Sequence, residues 1–183
     1  MNLAEAGATA DEEAERIIAR LGLVPHPKEG GWFRETYRAA ETLAPSALTP
    51  SGLAPRYAAA RAVSTAIYYL LTPTSFSALH RLASDEVFHF YAGDAVEQLR
   101  LFPEGAGNVV NIGNDLAAGQ RPQTVVPRGV WQGARLAAGG RYALLGCTVA
   151  PGFDYADYEA GNRQALSQAY PDFADRIAGL TPP

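Results

Sequence analysis

The central part of the chain, residues 62–149, is a succession of short apolar segments separated by turn residues, and this pattern constrains the fold most strongly. Most segments are rich in β-branched or aromatic residues, and Gly, Pro, Asn or Asp residues separate them. Short strands with turns about every eight to twelve residues are typical of sandwiches, jelly rolls and barrels. The sequence therefore predicts an all-β structure for this region.

Helical patterns flank the strand region on both sides. Residues 10–22 carry an apolar stripe that ends at a glycine suited to a helix C-terminus. Residues 159–180 contain two further helical segments, the second of which starts at Pro171 and ends at Gly179. We expect one N-terminal helix and two C-terminal helices around a single β domain.

The segment 40–60 has a different composition, with three prolines and a glycine among Ala, Ser and Thr residues. This composition predicts a mobile surface loop. Strand patterns resume directly after it, which favours a long hairpin connection over a linker between domains. A chain of 183 residues fits one domain, with a core at roughly 28–158.

Composition excludes several classes of partner. The net charge is −4 and no basic stripe is present, so we expect no nucleic-acid partner. No segment has the length or pattern of a membrane span or a signal peptide. The single cysteine, Cys147, lies in an apolar run, which predicts a buried thiol in a reducing compartment. We therefore expect a cytoplasmic protein.

The segment 75–93 holds the residues best suited to chemistry, since His80, Glu86 and His89 fall within ten positions there. Strand alternation puts His80 on one face with Phe76 and Leu82, and Ser77 on the other. If Glu86 also points inward, an imidazole and a carboxylate meet inside an apolar barrel. Such a pair can act as a general base, as metal ligands or as a hydrogen-bonding clamp.

Other side chains are secondary candidates for the same site. His89 lies on the opposite strand face from Glu86, so it is either a subunit contact or a site residue turned inward by a bulge. Trp131 is either core packing or a pocket wall. Of the neighbouring Tyr68 and Tyr69, one must face inward. Arg34 is either a surface charge or, if it lies near the barrel mouth, a contact for an anionic group of a substrate.

The segment 75–93 resembles the first motif of the cupin superfamily, which runs His-x-His, three or four residues, Glu, six residues, Gly. His80, Glu86 and Gly93 fall on that spacing. Leu82 stands where the motif has its second histidine. This departure removes one of the metal ligands that the resemblance would otherwise imply.

A second segment resembles the other cupin motif, which centres on Pro-x-Gly, two residues, then His. Pro127 and Gly129 match it, and Gln132 replaces the histidine. Any metal would therefore be held by His80, Glu86 and Gln132, a weaker set than transition metals usually require. We expect no cofactor, with a labile divalent metal left open.

More narrowly, the chain resembles a cupin branch labelled predicted sugar epimerases over roughly residues 20–180. The matching strings are EGGWFRETYR, STAIYYLL, LHRLASDEVFHFYAGD, VVPRGVWQGA and CTVAPGFDYADYE. The resemblance implies a double-stranded β-helix, or jelly-roll barrel, that forms a homodimer and binds a small molecule inside the barrel.

The epimerase label implies a similarity to metal-free dTDP-sugar epimerases, in which a Leu-His pair ends a strand and the histidine removes a proton next to a ketone. Leu79-His80 matches that pair. By this resemblance Glu86 would orient His80, and Tyr68 or Tyr91 would supply the acid. No array of arginines for a nucleotide diphosphate is evident, so a smaller sugar or acid is as plausible a substrate.

The leading hypothesis is thus a small-molecule-binding cupin that epimerises or isomerises a carbohydrate without a metal, with His80 as base. One alternative is a non-catalytic metabolite-binding or sensor protein, and another is a metal-dependent cupin enzyme. The supporting site residues under the leading hypothesis are Glu86 with the ligand contacts His89, Tyr68, Tyr91, Trp131, Gln132 and Arg34.

Overall fold

The computed structural model describes residues 10–48 and 56–182, which form two large antiparallel sheets packed face to face, a separate two-stranded sheet, and three helices outside the large sheets. The strands are β1 (Val24–Pro25), β2 (Trp32–Arg38), β3 (Thr42–Leu43), β4 (Arg61–Ala62), β5 (Thr65–Leu71), β6 (Phe76–Leu82), β7 (Asp85–Gly93), β8 (Val96–Leu101), β9 (Gly107–Ile112), β10 (Gln123–Val126), β11 (Trp131–Leu136), β12 (Ala143–Ala150) and β13 (Tyr158–Ala160). The helices are α1 (Ala10–Leu21), α2 (Arg163–Ala169) and α3 (Ala174–Gly179), with 3₁₀ turns at Pro45–Leu48, Tyr155–Asp157 and Pro171–Phe173.

The order of strands differs from their order along the chain, so that the two sheets interleave. One sheet has the order β1-β2-β5-β12-β7-β10, and the other has the order β13-β6-β11-β8-β9. Consecutive strands β6 and β7 lie in different sheets, as do β7 and β8. The chain therefore passes back and forth between two layers, and the predicted all-β architecture is confirmed.

The main core lies between the two sheets. Tyr69 on β5, Phe88 on β7 and Leu145 on β12 pack against Ala134 and Leu136 of the opposite sheet. Their neighbours along the strands point outward, because successive side chains of a strand lie on opposite faces. Away from bulges, this alternation places one side chain of a strand in the interior for every one outside.

The helices cover the outer faces of the sheets. Helix α1 packs Ala14 against Leu70 and Tyr142 on the outside of the six-stranded sheet. The C-terminal helices bury Leu166 and Ile177 on the outside of the five-stranded sheet. Amphipathic helices stabilise a fold in this way, by burying one apolar stripe each. The predicted helices at both ends are present, and no helix among the described residues is long and apolar enough to cross a membrane.

A bulge in β6 changes which of its side chains face inward. Gln132 of β11 pairs with His80, and Ala134 of β11 pairs with Ser77. Two steps along β11 therefore correspond to three steps along β6, which leaves one extra residue in β6. The extra residue turns Ser77 to the same side as His80, and both are 2% exposed. Phe76 packs outward beneath the C-terminal helices. The simple alternation that put Phe76 with His80 and Ser77 opposite is therefore wrong.

The predicted mobile loop at 40–60 is partly structured where it is described. β3 and β4 pair at its two ends, and Tyr57 is almost fully buried, with its hydroxyl 2.9 Å from the Ser84 hydroxyl. Residues 49–55, to which the rest of this prediction applies, lie outside the described residues.

Candidate functional site

A cavity of about 290 Å³ opens between the sheets at the end of the barrel where β2, β5, β7 and β12 meet the segment after β12. Five aromatic side chains form part of its walls, and four carboxyl side chains and one guanidinium group also line it. The lining is completed by His26, Thr65, Ile67, Leu82, Cys147 and Val149. The aromatic residues are Phe33, Tyr69, Phe88, Phe153 and Tyr155, and the charged residues are Glu29, Glu35, Arg38, Glu86 and Asp154.

Glu29 is held against the barrel by the loop between β1 and β2. Gly30 and Gly31 that follow it adopt φ angles of 83° and 68°, a region that favours glycine. The loop is fixed to the sheets at two points: the Ala78 N–H donates to the Glu29 carbonyl and the Tyr69 hydroxyl donates to the Gly30 carbonyl, both at 2.8 Å. The two glycines thus let the chain lie close enough to point the Glu29 carboxyl into the cavity.

Two imidazoles flank the Glu29 carboxyl. The Oε1 atom of Glu29 lies 3.7 Å from Nε2 of His26 and 3.8 Å from Nε2 of His80. Both imidazoles are nearly excluded from solvent, at 8% and 2% exposure. The His80 ring also stacks on Tyr158, with ring centroids 5.1 Å apart. One carboxyl oxygen therefore lies between two buried rings.

The hydrogen bonds of the two rings assign opposite roles to their Nε2 atoms. Nδ1 of His26 accepts from the Glu29 backbone N–H at 2.9 Å, so neutral His26 carries its proton on Nε2. Nδ1 of His80 lies 2.8 Å from the Ala78 carbonyl and must donate to it, which leaves the lone pair on Nε2. The Glu29 carboxyl thus faces a donor on one side and an acceptor on the other.

Glu86 is the second buried carboxyl, and a chain of side chains connects it to an arginine. Nε2 of Gln132 donates to Oε2 of Glu86 at 2.6 Å. Oε1 of Gln132 accepts from Nε2 of Gln98 at 3.5 Å, and Oε1 of Gln98 accepts from Arg100 at 2.6 and 2.9 Å. All four side chains are buried.

Arg100 fixes the direction of this chain, because a guanidinium group can only donate. Its bonds orient the Gln98 amide so that the NH₂ group points to Gln132, and that bond in turn points the Gln132 NH₂ group to Glu86. The chain therefore presents a donor to Glu86, which favours its ionised form.

Burial sets the protonation of the four groups. It raises the pKa of Glu29 to about 8 and, together with the nearby Glu29, raises that of Glu86 to about 7. Burial lowers the pKa of His26 to about 4 and also lowers that of His80, although Glu86 opposes the shift of His80. Near neutral pH, Glu29 is mostly protonated, Glu86 is near its midpoint and His26 is neutral. The cavity thus contains a carboxylic acid beside a carboxyl close to ionisation.

The structure brings together three of the residues singled out from the sequence. His80, Glu86 and Gln132 all face the interior, and Gln132 pairs with His80 across β11 and β6. Glu86 lines the cavity directly, whereas His80 lies behind Glu29. Cys147 is buried and lines the cavity too, as expected for a thiol in an apolar run.

Four other candidates lie outside the barrel. His89 and Tyr91 stack on the outer face of β7, and Tyr68 meets Tyr91 edge-on from β5. Arg34 donates to the Leu21 carbonyl at the end of α1. The bulge of β7 lies at Tyr91, and His89 pairs in regular register with Gly146 before it, so the bulge does not turn His89 inward.

Trp131 is also outside the cavity. It packs with the cluster beneath the C-terminal helices, and the Arg81 guanidinium lies 4.6 Å from its ring centre. The sequence left open whether Trp131 is core packing or a pocket wall, and this position favours packing.

Sequence reasoning missed Glu29 and His26. Both lie in the Pro/Gly-rich segment VPHPKEGG, which strand and helix patterns treat only as irregular. Tyr69 was the inward member of the Tyr68–Tyr69 pair, since β5 places it in the core. One signal was available: a polar residue directly before two glycines marks a backbone held close to another segment.

The donor set does not fit a transition metal. Leu82 contributes an apolar wall where a ligand would stand, and the Gln132 amide directs its NH₂ group, not its oxygen, to Glu86. Within residues 10–48 and 56–182, no three His, Cys, Asp or Glu side chains are arranged to hold a metal ion.

The two packed sheets, with a polar cavity between them, form a jelly-roll barrel. The chain belongs to the Cupin superfamily (DUF985), whose family model matches residues 15–161. The fold expected from the two sequence motifs is therefore confirmed.

Three similar proteins carry no activity in their names. Protein SO0799 from Shewanella oneidensis is 35% identical, with a TM-score of 0.78 over 93% of this chain and 98% of that chain. A hypothetical protein from Leishmania major is 34% identical, with a TM-score of 0.79 over 92% and 98%. The uncharacterized protein YML079W of Saccharomyces cerevisiae is 29% identical over 147 residues, 79% of this chain and 73% of that protein.

Proposed function

We propose that this protein binds a small neutral carbohydrate in the barrel and moves a proton on it, as an epimerase or isomerase does, without a metal. The observation that carries the proposal is the position of Glu29, whose Oε1 atom lies within 4 Å of two buried imidazoles in a cavity that Glu86 also lines. Perturbed titratable groups that converge in a pocket are typical of catalytic sites.

The two carboxyls suit opposite roles. Glu86 receives a donor from Gln132 and takes the part of the base, while the protonated Glu29 takes the part of the acid. Glu86 would accept a proton from the carbon next to a carbonyl group as Glu29 gives its proton to the carbonyl oxygen, which yields an enediol. Glu86 then returns its proton to either carbon of the enediol while an enediol hydroxyl group gives its proton back to the Glu29 carboxylate, which re-forms a carbonyl group and completes the isomerisation.

His80 lies beside Glu29, is electrostatically coupled to Glu86 and acts on the reaction through these carboxyls. In its neutral form the Nε2 lone pair faces Glu29, and its protonated form would stabilise the Glu86 carboxylate. Because it does not line the cavity, we propose it as a positioning group that shares a proton with the carboxyls. This differs from the expectation that His80 itself removes the substrate proton.

The charge and shape of the cavity support a neutral ligand. Four carboxyl groups line it, and Arg38 is held by bonds to Glu35 and to the Phe153 carbonyl. An anionic ligand would therefore meet like charge. The aromatic walls provide flat apolar surfaces, on which the C–H faces of a sugar ring can pack, and the carboxyls can bind its hydroxyl groups.

The test is solvent-deuterium incorporation into a panel of neutral aldoses and ketoses, followed by NMR. Glu86→Gln and Glu29→Gln should each lower the exchange rate at least about a hundredfold. His80→Asn should shift the pH profile of the rate as well as lower it. Glu97→Gln, on the outer side of the five-stranded sheet, is the matched control and should leave the rate unchanged.

Two results would overturn the proposal. One is a sugar that binds with the cavity intact but never exchanges a proton, which would favour a non-catalytic binding protein. The other is exchange that persists in both carboxyl variants. Homodimer formation, the cytoplasmic location and the absence of a nucleic-acid partner remain predictions from the sequence.

A further inference from the structure

A second cavity, of about 350 Å³, opens on the other side of Leu82 and has the opposite charge character. It lies between the turn that joins β6 to β7 and the turn that joins β10 to β11. Leu82 lines both cavities, so one apolar side chain separates them. Three arginines converge on the second cavity: Arg56, Arg81 and Arg128.

The two carboxylates in the lining of this cavity are already neutralised. Asp157 accepts from the Nε and Nη2 atoms of Arg61 at 2.6 and 2.7 Å, in a pair with side-chain exposures of 8% and 4%. Glu159 accepts from Nε and Nη2 of Arg81 at 2.8 and 3.0 Å. Each carboxylate is therefore matched by its own guanidinium group.

The other two arginines have no carboxylate partner among the residues that the structure describes. Arg56 lies over the Tyr57 ring and makes a 3.5 Å contact from Nη1 to the Ala83 carbonyl. Arg128 donates to the Asp85 carboxylate only through its backbone N–H, at 2.8 Å. Asp85 is the third carboxylate of the region. With Arg61 included, four arginines lie in this region beside three carboxylates. The region therefore has an excess of positive charge, whereas the whole chain has a net charge of −4.

We propose that this arginine-lined cavity is a binding site for a phosphate group, either free or on a small metabolite. The guanidinium fork matches the oxygens of a phosphate in two-point hydrogen bonds, and arginine is the residue most suited to this geometry. Arg56 and Arg128 supply the charge that is not used within the protein. This site is independent of the proton transfer proposed for the acidic cavity.

The test is calorimetric titration with inorganic phosphate and, separately, with glycerol 3-phosphate, at constant ionic strength in chloride. Arg128→Ala and Arg56→Ala should each weaken binding about tenfold, because each removes one charge-assisted contact. Arg121→Ala is the control: it changes the net charge equally at an exposed residue away from the cavity, and should change the affinity less than twofold. Tighter binding of the ester would identify a phosphorylated metabolite as the ligand.

A variant with the opposite expected sign tests the same site. Glu159→Gln removes the partner of Arg81 and should tighten phosphate binding severalfold. Lack of any phosphate binding above chloride would overturn the proposal, and so would an equal loss of affinity in the Arg121→Ala control.

Discussion

His80 and His89 lie nine positions apart on consecutive strands and occupy opposite environments. His80 is buried in the barrel beside Glu29, stacked on Tyr158. His89 lies on the outer face of the six-stranded sheet, where its ring nitrogens contact Thr148 and Gln123. The inner cluster is therefore desolvated and electrostatically coupled, whereas the outer patch of His89, Tyr91 and Tyr68 keeps contact with water. Burial in the inner environment raises the pKa values of Glu29 and Glu86 and lowers those of His26 and His80.

The largest expected difference in stability is between substitutions of two glutamines, one inside the barrel and one on the outer face of the six-stranded sheet. Gln132→Leu should destabilise the protein by about 3 kcal/mol, because it leaves Glu86 without its donor and Gln98 without its acceptor inside the barrel. The measurement is urea unfolding near neutral pH.

The matched control is Gln123→Leu on β10, where the amide is exposed and contacts His89. Its cost should stay within about 0.5 kcal/mol. Equal costs for the two variants would contradict the distinction between the two faces.

The next effect is a loss of stability as the pH rises from about 6.5 to 8. Folded Glu29 and Glu86 keep their protons up to pH values of about 8 and about 7, whereas an unfolded glutamate ionises near about 4.3. The folded state then binds more protons than the unfolded state, so stability falls with rising pH, by up to about 1.4 kcal/mol per unit and group. The expected loss is about 2 kcal/mol.

Below pH 6.5 the histidines oppose this trend. Burial lowers the pKa of folded His26 from 6.5 to about 4. Between these two pH values His26 takes up a proton only on unfolding, so its contribution makes the free energy of unfolding rise with pH. Glu29→Gln should remove most of the decline between pH 6.5 and 8, and Glu97→Gln should not. Parallel pH profiles for wild type and Glu29→Gln in urea unfolding would show that Glu29 is not protonated in the folded protein.

The smallest effect is expected on the outer face. Gly146 of β12 lies beneath Tyr91, and a Cβ atom there would overlap the Tyr91 hydroxyl. Gly146→Ala should cost only about 1 kcal/mol in thermal unfolding, because the half-exposed Tyr91 ring can move away. In a Tyr91→Ala background the same substitution should cost nothing, and a cost that persists there would exclude the ring as its cause.

Much of the architecture follows from local sequence patterns. Apolar alternation and turn residues predicted the strands, an apolar stripe predicted α1, and a helix start at Pro171 with an end at Gly179 predicted α3, because these features act over a few residues. The motif spacing around His80, Glu86 and Gln132 identified three members of the inner cluster for the same reason. Strand periodicity also gave Tyr68 and Tyr69 opposite faces, but it did not say which face was inside.

The tertiary structure alone decided the composition of the candidate site. Glu29 and His26 reach the barrel from an irregular loop, and the register of β11 against β6 creates the bulge that turns Ser77 inward. The outward placement of Tyr68, Tyr91, His89 and Arg34 depends on which sheet face α1 covers. These outcomes rest on contacts between segments distant in sequence. The sequence by itself determined the strands, the helices and the polar residues available, whereas packing between the sheets determined which of those residues lose water and acquire unusual protonation.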